Sequence, residues 1–445
     1  MKRVVFTFVL LFGISFLGLS QSPFVIQNKK KTDKIKFKLI NNLVIIPVKI
    51  NGVELSFILD TGVSKPILFN IFNVNETLKI KNAQKIVIRG LGEGEPVEAL
   101  RSKNNVIQIG EAVSVNQDLF VVYNSKLDFA PKLGIPIHGI IGYDFFKDLV
   151  VKINYVSKTI KIFENETYKQ KKCKKCEILP LYFYNKKPYI NAEVTIDAKQ
   201  IPVKLLIDSG GSDSIWLFEN TSLGIHVKEA YFTDFLGHGL SGSVYGKRSK
   251  VDAFTINSFT LHNANVAFPD STSISFARNH KDRNGSLAGN VLKRFHIVFN
   301  YKKSSILLKK SKFFNDDFSY NKSGIELEQN GIRLVREKDN STRITTLNDA
   351  KAINNEETRV VYNASYKLSV KPAYTIVELR ENSPAEKAGL QIGDIVLKIN
   401  GKETYGLTLQ KCTQYFYEKE GKTIKLKVDR LGKQLDFKFT LKKVF

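Results

Sequence analysis

The chain has 445 residues, of which 43% are hydrophobic and 25% charged, and a formal net charge of +25. That length leaves room for two to four domains at roughly 100–200 residues each, and the composition excludes bulk disorder. The positive excess is mostly lysine spread along the whole chain, with no compact basic stripe interleaved with aromatics, which argues against nucleic-acid binding.

In chain order, the first element is a leader. Lys2 and Arg3 precede an uncharged apolar run over residues 4–19, and the small residues Gly18 and Ser20 close it. This three-part pattern predicts a signal peptide over 1–20 and export to a periplasmic or extracellular compartment. No later stretch is long and apolar enough to cross a bilayer, so no membrane span is expected after cleavage.

An internal repeat follows. Residues 42–50 alternate, turn at Asn51-Gly52, and lead into an apolar strand that ends in Asp60-Thr61-Gly62. Residues 189–196 do the same, turn near 197–199, and lead through an apolar strand to Asp208-Ser209-Gly210. Both read as a β-hairpin delivering a D-[TS]-G turn. Leu91-Gly92-Glu93-Gly94 follows Asp60 as Leu236-Gly237-His238-Gly239 follows Asp208. Gly142 of Ile140-Ile141-Gly142 lies 82 residues after Asp60, and Gly289 of Leu287-Ala288-Gly289 lies 81 after Asp208. A short helical turn and a strand pair come next in each copy. Two lobes related by a pseudo-twofold axis are expected, over 21–168 and 178–312, with a lysine-rich link over 169–177.

Cys173 and Cys176 in that link lack the further ligands of a structural zinc site, which leaves a local disulfide or two plain thiols. No His spacing suits a metal, and no metal or cofactor is expected. After 312 comes a mixed connecting segment over 313–365, then a compact domain over 366–445. In it, Ser383 is a good N-cap, Pro384 fits the first helical position, and Gly389 suits the left-handed turn after a helix. Asn400-Gly401 marks a turn, and an amphipathic helix is predicted over 407–417.

Two carboxylates at the ends of matched strands suit water-driven amide hydrolysis. Held close together they cannot both ionise, so one acts as base and the other as acid. The neighbouring hydroxyls of Thr61 and Ser209 can lock the loops, while Gly62 and Gly210 let backbone N–H groups reach the carboxylates.

The motifs Phe57-Ile58-Leu59-Asp60-Thr61-Gly62 and Leu205-Leu206-Ile207-Asp208-Ser209-Gly210 resemble those of the pepsin and retropepsin superfamily of aspartic peptidases. The resemblance covers about residues 35–312. It implies a mainly β pair of barrels, Asp60 and Asp208 as the catalytic pair, and Gly142 and Gly289 as supports of the active-site loops. It also implies substrate-covering flaps at Leu91, Gly92 and Gly94 and at Leu236, Gly237 and Gly239. Val63 and Gly211 stand where pepsin-like enzymes usually carry Ser or Thr, so fewer hydrogen bonds to the ionised dyad and a pH optimum nearer neutral are expected.

The run Ser383-Pro384-Ala385-Glu386-Lys387-Ala388-Gly389-Leu390 resembles the PDZ domains of bacterial exported proteases. This implies a small α+β fold and a peptide groove, with Lys371, Pro372, Ala373 and Tyr374 as its carboxylate loop and a strand through Thr375 and Ile376 beside it. The combined expectation is a monomeric exported aspartic endopeptidase that takes peptide or protein substrates and recruits a peptide or partner through its PDZ domain. The alternative is a non-catalytic pseudo-peptidase or PDZ adaptor that binds peptides in the same places.

Overall fold

The computed structural model describes residues 21–69, 71, 78–123, 128–338, 344–347, 359–362 and 366–445. The expected signal peptide lies outside these residues. The fold is mainly β, as expected. It divides into two compact units. The first holds the described residues up to Ala130, then Ile135–Tyr320 and Lys443–Phe445. The second holds Pro131–Gly134 and Asn321–Lys442.

The first unit contains both repeats. In the first lobe, strand Val53–Leu59 runs antiparallel to Leu43–Ile50 and parallel to Gly139–Ile141. In the second, Lys199–Asp208 runs antiparallel to Lys187–Ile196 and parallel to Gly285–Ala288. Going outward, Ile67–Leu68 and Ala112–Val122 in one lobe match Ile215–Leu217 and Phe259–Pro269 in the other, in the same order. Both aspartate-bearing strands are central and covered on both faces. Phe57, Ile58 and Leu59, like Leu205, Leu206 and Ile207, are all buried. That is why these strands read as continuous apolar runs and not as alternating ones.

A third, six-stranded sheet joins the lobes. Leu149–Asn154 pairs antiparallel with Phe295–Asn300, placing Val150 opposite Asn300 and Asn154 opposite His296. On one side Thr159–Glu164 and Thr32–Lys36 extend it, and on the other Ser305–Lys310 and Cys176–Pro180. Val150, Val151 and Ile153 are fully buried there, as are Ile297 and Phe299. Each such side chain contributes about 1.5–3 kcal/mol through removal from water. The predicted link over 169–177 therefore ends inside this sheet, and Cys173 and Cys176 form a disulfide just before its last strand.

The second unit starts earlier than the expected boundary at 366. Strand Ile325–Lys338 pairs along its length with Tyr366–Leu379, from Ile325 opposite Leu379 to Lys338 opposite Tyr366. Much of the presumed connecting segment is thus part of this unit's own sheet. Helix Pro384–Lys387 has Ser383 as its cap, whose hydroxyl accepts from the Glu386 N–H at 3.2 Å. The later helix is shorter than predicted, spanning Leu409–Gln414 and continued by a tighter turn, Tyr415–Tyr417. A separate core of Tyr374, Ile376, Val396, Ile399, Leu409, Phe416, Ile424 and Val428 fills the unit.

Candidate active site

Each D-[TS]-G turn begins where its central strand runs out. Asp60 N–H donates to the Ile141 carbonyl at 2.8 Å, which ties the turn to the neighbouring parallel strand. The two turns then lock each other across the lobes. Thr61 Oγ1 donates to the Ile207 carbonyl at 2.6 Å and accepts from the Ser209 N–H at 3.1 Å. In reverse, Ser209 Oγ donates to the Leu59 carbonyl at 2.8 Å and accepts from the Thr61 N–H at 3.0 Å. Thr61 and Ser209 are buried, so breaking this set would leave unsatisfied polar groups at about 1–3 kcal/mol each.

The lock brings the carboxylates together. Gly62 N–H donates to Asp60 Oδ1 at 2.6 Å, and Gly210 N–H donates to Asp208 Oδ1 at 3.1 Å. A Cβ on Gly62 would lie 3.1 Å from Asp60 Oδ1 and 3.5 Å from Asp208 Oδ1, and one on Gly210 would lie 2.3 Å from Asp60 Cγ. At Gly210 the opposite carboxylate occupies the side-chain space, while at Gly62 the tighter approach is to Asp60 of its own turn. Gly142 and Gly289 sit just behind. A Cβ on Gly142 would meet the Asp60 carbonyl at 1.9 Å, and one on Gly289 would meet the Gly211 carbonyl at 2.8 Å.

Asp60 and Asp208 retain some solvent contact while lying deep in the fold. Burial, and then the Asp208 carboxylate, push Asp60 up to about 7. Burial also raises Asp208, against the pull of Arg283 and Lys187 and the N–H groups of Gly210 and Gly211. Such a pair holds one proton between them over a range of pH.

Two hairpins, one from each lobe, meet at their tips. In the first, the tip joins Gln84–Ile88 to Val97–Ile109 and includes Leu91, Gly92 and Gly94. In the second, Phe232–Gly239 pairs with Gly242–Ile256, and its turn lies at Leu240-Ser241. The tips hydrogen-bond to each other. Ser241 N–H donates to the Leu91 carbonyl at 2.9 Å, and Gly94 N–H donates to the Ser241 carbonyl at 2.7 Å. Glu93 accepts from Thr272 and Ser273 at 2.6 and 3.0 Å. Gly239 lies beside Leu91, as expected of a tip residue. Leu236 and Gly237 do not belong to the tip. They lie in the rising strand at a register shift, with Leu236 buried against Val244.

Sequence reasoning missed two residues. Tyr189 lies opposite Leu206 at the end of the hairpin ladder, and Lys187 and Asp208 each stand two residues beyond that pair. Ala288 is the register neighbour of Asp208 and Gly285 that of Leu205, so Arg283, two residues before Gly285, acts on Asp208 electrostatically and not as its ladder neighbour. Arg283 is 8% exposed; its Nε donates to the Gly285 carbonyl at 3.1 Å and its Nη2 to Ser286 Oγ at 2.6 Å. Burial lowers Lys187, and Arg283 lowers it further, while both aspartates oppose the shift. Superposing the two copies would have exposed them, because the first lobe has Leu43 and Ile137 at the same positions.

In the second unit the expected peptide-binding loop is absent. Lys371, Pro372, Ala373 and Tyr374 continue directly into Thr375 and Ile376 within strand Tyr366–Leu379. They pair with Ile325–Lys338 on both sides of a register shift at Ala373, Tyr374 opposite Gln329 and Pro372 opposite Ile332, and Thr375 also pairs with Ile395 on its other side. At Thr375 both edges of the strand are taken, so it has no free ladder for an added peptide. Tyr374 and Ile376 are core residues, and Tyr374 Oη donates to the Leu407 carbonyl at 2.7 Å. The strand that lies against helix Leu409–Gln414 is Ile325–Lys338.

No group of three or more His, Cys, Asp or Glu suited to a metal occurs among the described residues, nor does a helix long and apolar enough to cross a membrane. Comparison with known proteins gives two family matches. Residues 46–145 match the aspartyl protease model, and residues 375–430 match a PDZ domain model. A probable CtpA-like serine protease of Staphylococcus haemolyticus (strain JCSC1435) is 27% identical over 136 residues, which cover 30% of this chain and 27% of that protein. The chain thus spans about a quarter of that relative's length. Within its two units, the chain carries an aspartyl protease-type segment over residues 46–145 and a PDZ domain over residues 375–430.

Proposed function

We propose that this protein is an exported aspartic endopeptidase in which Asp60 and Asp208 hydrolyse peptide bonds. The observation that carries the reading is the reciprocal Thr61–Ser209 lock, which holds the two carboxylates close together. With one proton on the pair, the ionised carboxylate takes a proton from a water lying between them. The water oxygen attacks the peptide carbonyl carbon, and the protonated carboxyl hydrogen-bonds the carbonyl oxygen as charge develops there. Collapse of the tetrahedral species breaks the C–N bond, and a proton passes to the leaving nitrogen. The hairpin tips must part to admit an extended peptide and would close over it to exclude water.

Export is supported by the leader pattern at 1–20 and by the Cys173–Cys176 disulfide, a bond that persists in oxidising compartments. The PDZ domain would recruit a peptide or partner protein. The test is cleavage of a mixed peptide library by the purified mature chain, from pH 3 to 8, beside Asp60→Asn and Asp208→Asn. Cutting by wild type and by neither variant supports one intramolecular dyad. Binding without cutting by wild type would replace this reading with that of a peptide-binding protein.

A further inference from the structure

The second unit carries an apolar surface that its own core does not use. Strand Tyr366–Leu379 places Tyr374 and Ile376 in that core. Side chains of a strand alternate between its two faces, so Pro372, Val370, Leu368 and Tyr366 succeed them along one face. There the core has ended. Leu368 is 71% exposed and Val370 60%, and on the paired strand Ile332 is 72% exposed and Leu334 69%. Leu334 lies opposite Val370 and Ile332 opposite Pro372, and opposed residues of a ladder project to the same face. The four aliphatic side chains therefore form one continuous patch, and a patch, unlike scattered apolar residues, marks an interaction site.

The other face of this two-stranded ribbon is the covered one. The Arg333 guanidinium lies 5.4 Å from the centre of the Tyr405 ring and the Lys371 ammonium 5.8 Å from it, and Lys371 Nζ pairs with Glu337 at 2.9 Å. The ribbon is thus turned inside out. Charged side chains face the body of the unit, and aliphatic ones face the solvent.

Charge decides what fits the patch. Arg336 and Lys338 stand on the apolar face itself, opposite Leu368 and Tyr366, and Arg336 stacks on the Tyr366 ring at 4.3 Å. Over residues 332–338 and 366–372 the cations are Arg333, Arg336, Lys338, Lys367 and Lys371, against the single acid Glu337. A second copy of the chain seated on this face would set like charges against each other, with a net charge of +25 on each partner. An anionic bilayer surface suits both features. Its headgroups attract the cations, its acyl boundary takes up the aliphatic side chains, and a tyrosine is at home between the two.

We propose that residues 332–338 and 366–372 form a peripheral membrane-binding element, which lays its apolar face on an anionic lipid bilayer and holds the PDZ-bearing unit there. It lies on the membrane without spanning it, and it does not depend on the peptidase reading.

The experiment is cosedimentation of the purified mature chain with vesicles of phosphatidylcholine alone and of phosphatidylcholine mixed with phosphatidylglycerol. Wild type is expected to partition about tenfold or more in favour of the anionic vesicles. The double variant Leu334→Ser/Leu368→Ser, which keeps every charge, is expected to lose about tenfold or more of that binding. Arg336→Gln is expected to lose about fivefold. None of these side chains belongs to the core of the unit, so an unchanged Tm is expected of both variants and checks that they are folded. Absence of binding in wild type, or equal binding to both kinds of vesicle, overturns the proposal. Binding that survives the loss of both leucines also overturns it, and assigns the attraction to the general charge of the chain. A wild-type dimer that the double variant dissociates, with no binding to vesicles, overturns it in favour of a second copy on the patch.

Discussion

The two lobes carry the same strand order around their aspartates, and even their supporting polar contacts correspond. Ser56 N–H donates to His138 Nδ1 at 3.2 Å in the first lobe, and Lys204 N–H donates to Asn284 Oδ1 at 2.7 Å at the matching place in the second. They part company at two equivalent positions, Leu43 and Ile137 in the first lobe against Lys187 and Arg283 in the second. The shared features fix where the carboxylates stand, which is a requirement on both halves alike. The differing ones set the charge around them, which only one half supplies. Symmetry here serves placement, and asymmetry serves chemistry.

The largest expected effect tests the shared part. Asp60→Asn and Asp208→Asn should each lower kcat/KM by about a thousandfold or more, because neither half can supply both acid and base. A variant that keeps a tenth of the wild-type rate would show that the lobes do not act as a pair. Next comes the support behind the turn. In Gly142→Ala the new methyl would overlap the Asp60 carbonyl, so a loss of about 3 kcal/mol in stability is expected, read as a fall in Tm. Unchanged melting would mean that the turn can shift freely.

The cross-lobe lock gives a smaller, sharper test. Thr61→Val and Ser209→Ala should each cost about 1–3 kcal/mol in denaturant unfolding, and the double variant less than their sum, since each removes the other's partner. Strict additivity would deny the reciprocity. The smallest effects come from proton linkage. The rate should decline as pH rises through about 7, where the shared proton leaves the dyad. Lys187→Met should move that decline to higher pH, because the ammonium favours the ionised carboxylates. The stability of the raised carboxylates has the same sign. Their contribution is fully present below the ordinary Asp range near 3.8 and is lost as pH rises toward 7. Asp60→Asn should therefore gain in Tm relative to wild type between pH 4 and 8, and thermal melts across that range would check it.

What could be read from the chain follows the distance over which each pattern acts. The aspartate turns and the apolar strands beneath them are local in sequence, and repetition made them stand out. Lys187 and Arg283 lie 21 residues before and 75 after Asp208, so only the fold brings their charges to bear on it. Gly237 marks a register shift in the rising strand of its hairpin, while the turn itself is made by Leu240 and Ser241. The early strand of the second unit was hidden for another reason. Residues 332–335 read as strand-like, but their partner lies beyond a long intervening stretch, which conceals the pairing.

The sheet that joins the lobes has a consequence for how the chain is made. Val150 finds its ladder partner only at Asn300, about a third of the chain later. During synthesis at about 5–20 residues per second, the first lobe would spend several seconds with the edge of Leu149–Asn154 open to any passing strand. Lys152, exposed in the middle of that edge, is the kind of residue that discourages pairing with a stranger while leaving the proper match with Val298 intact.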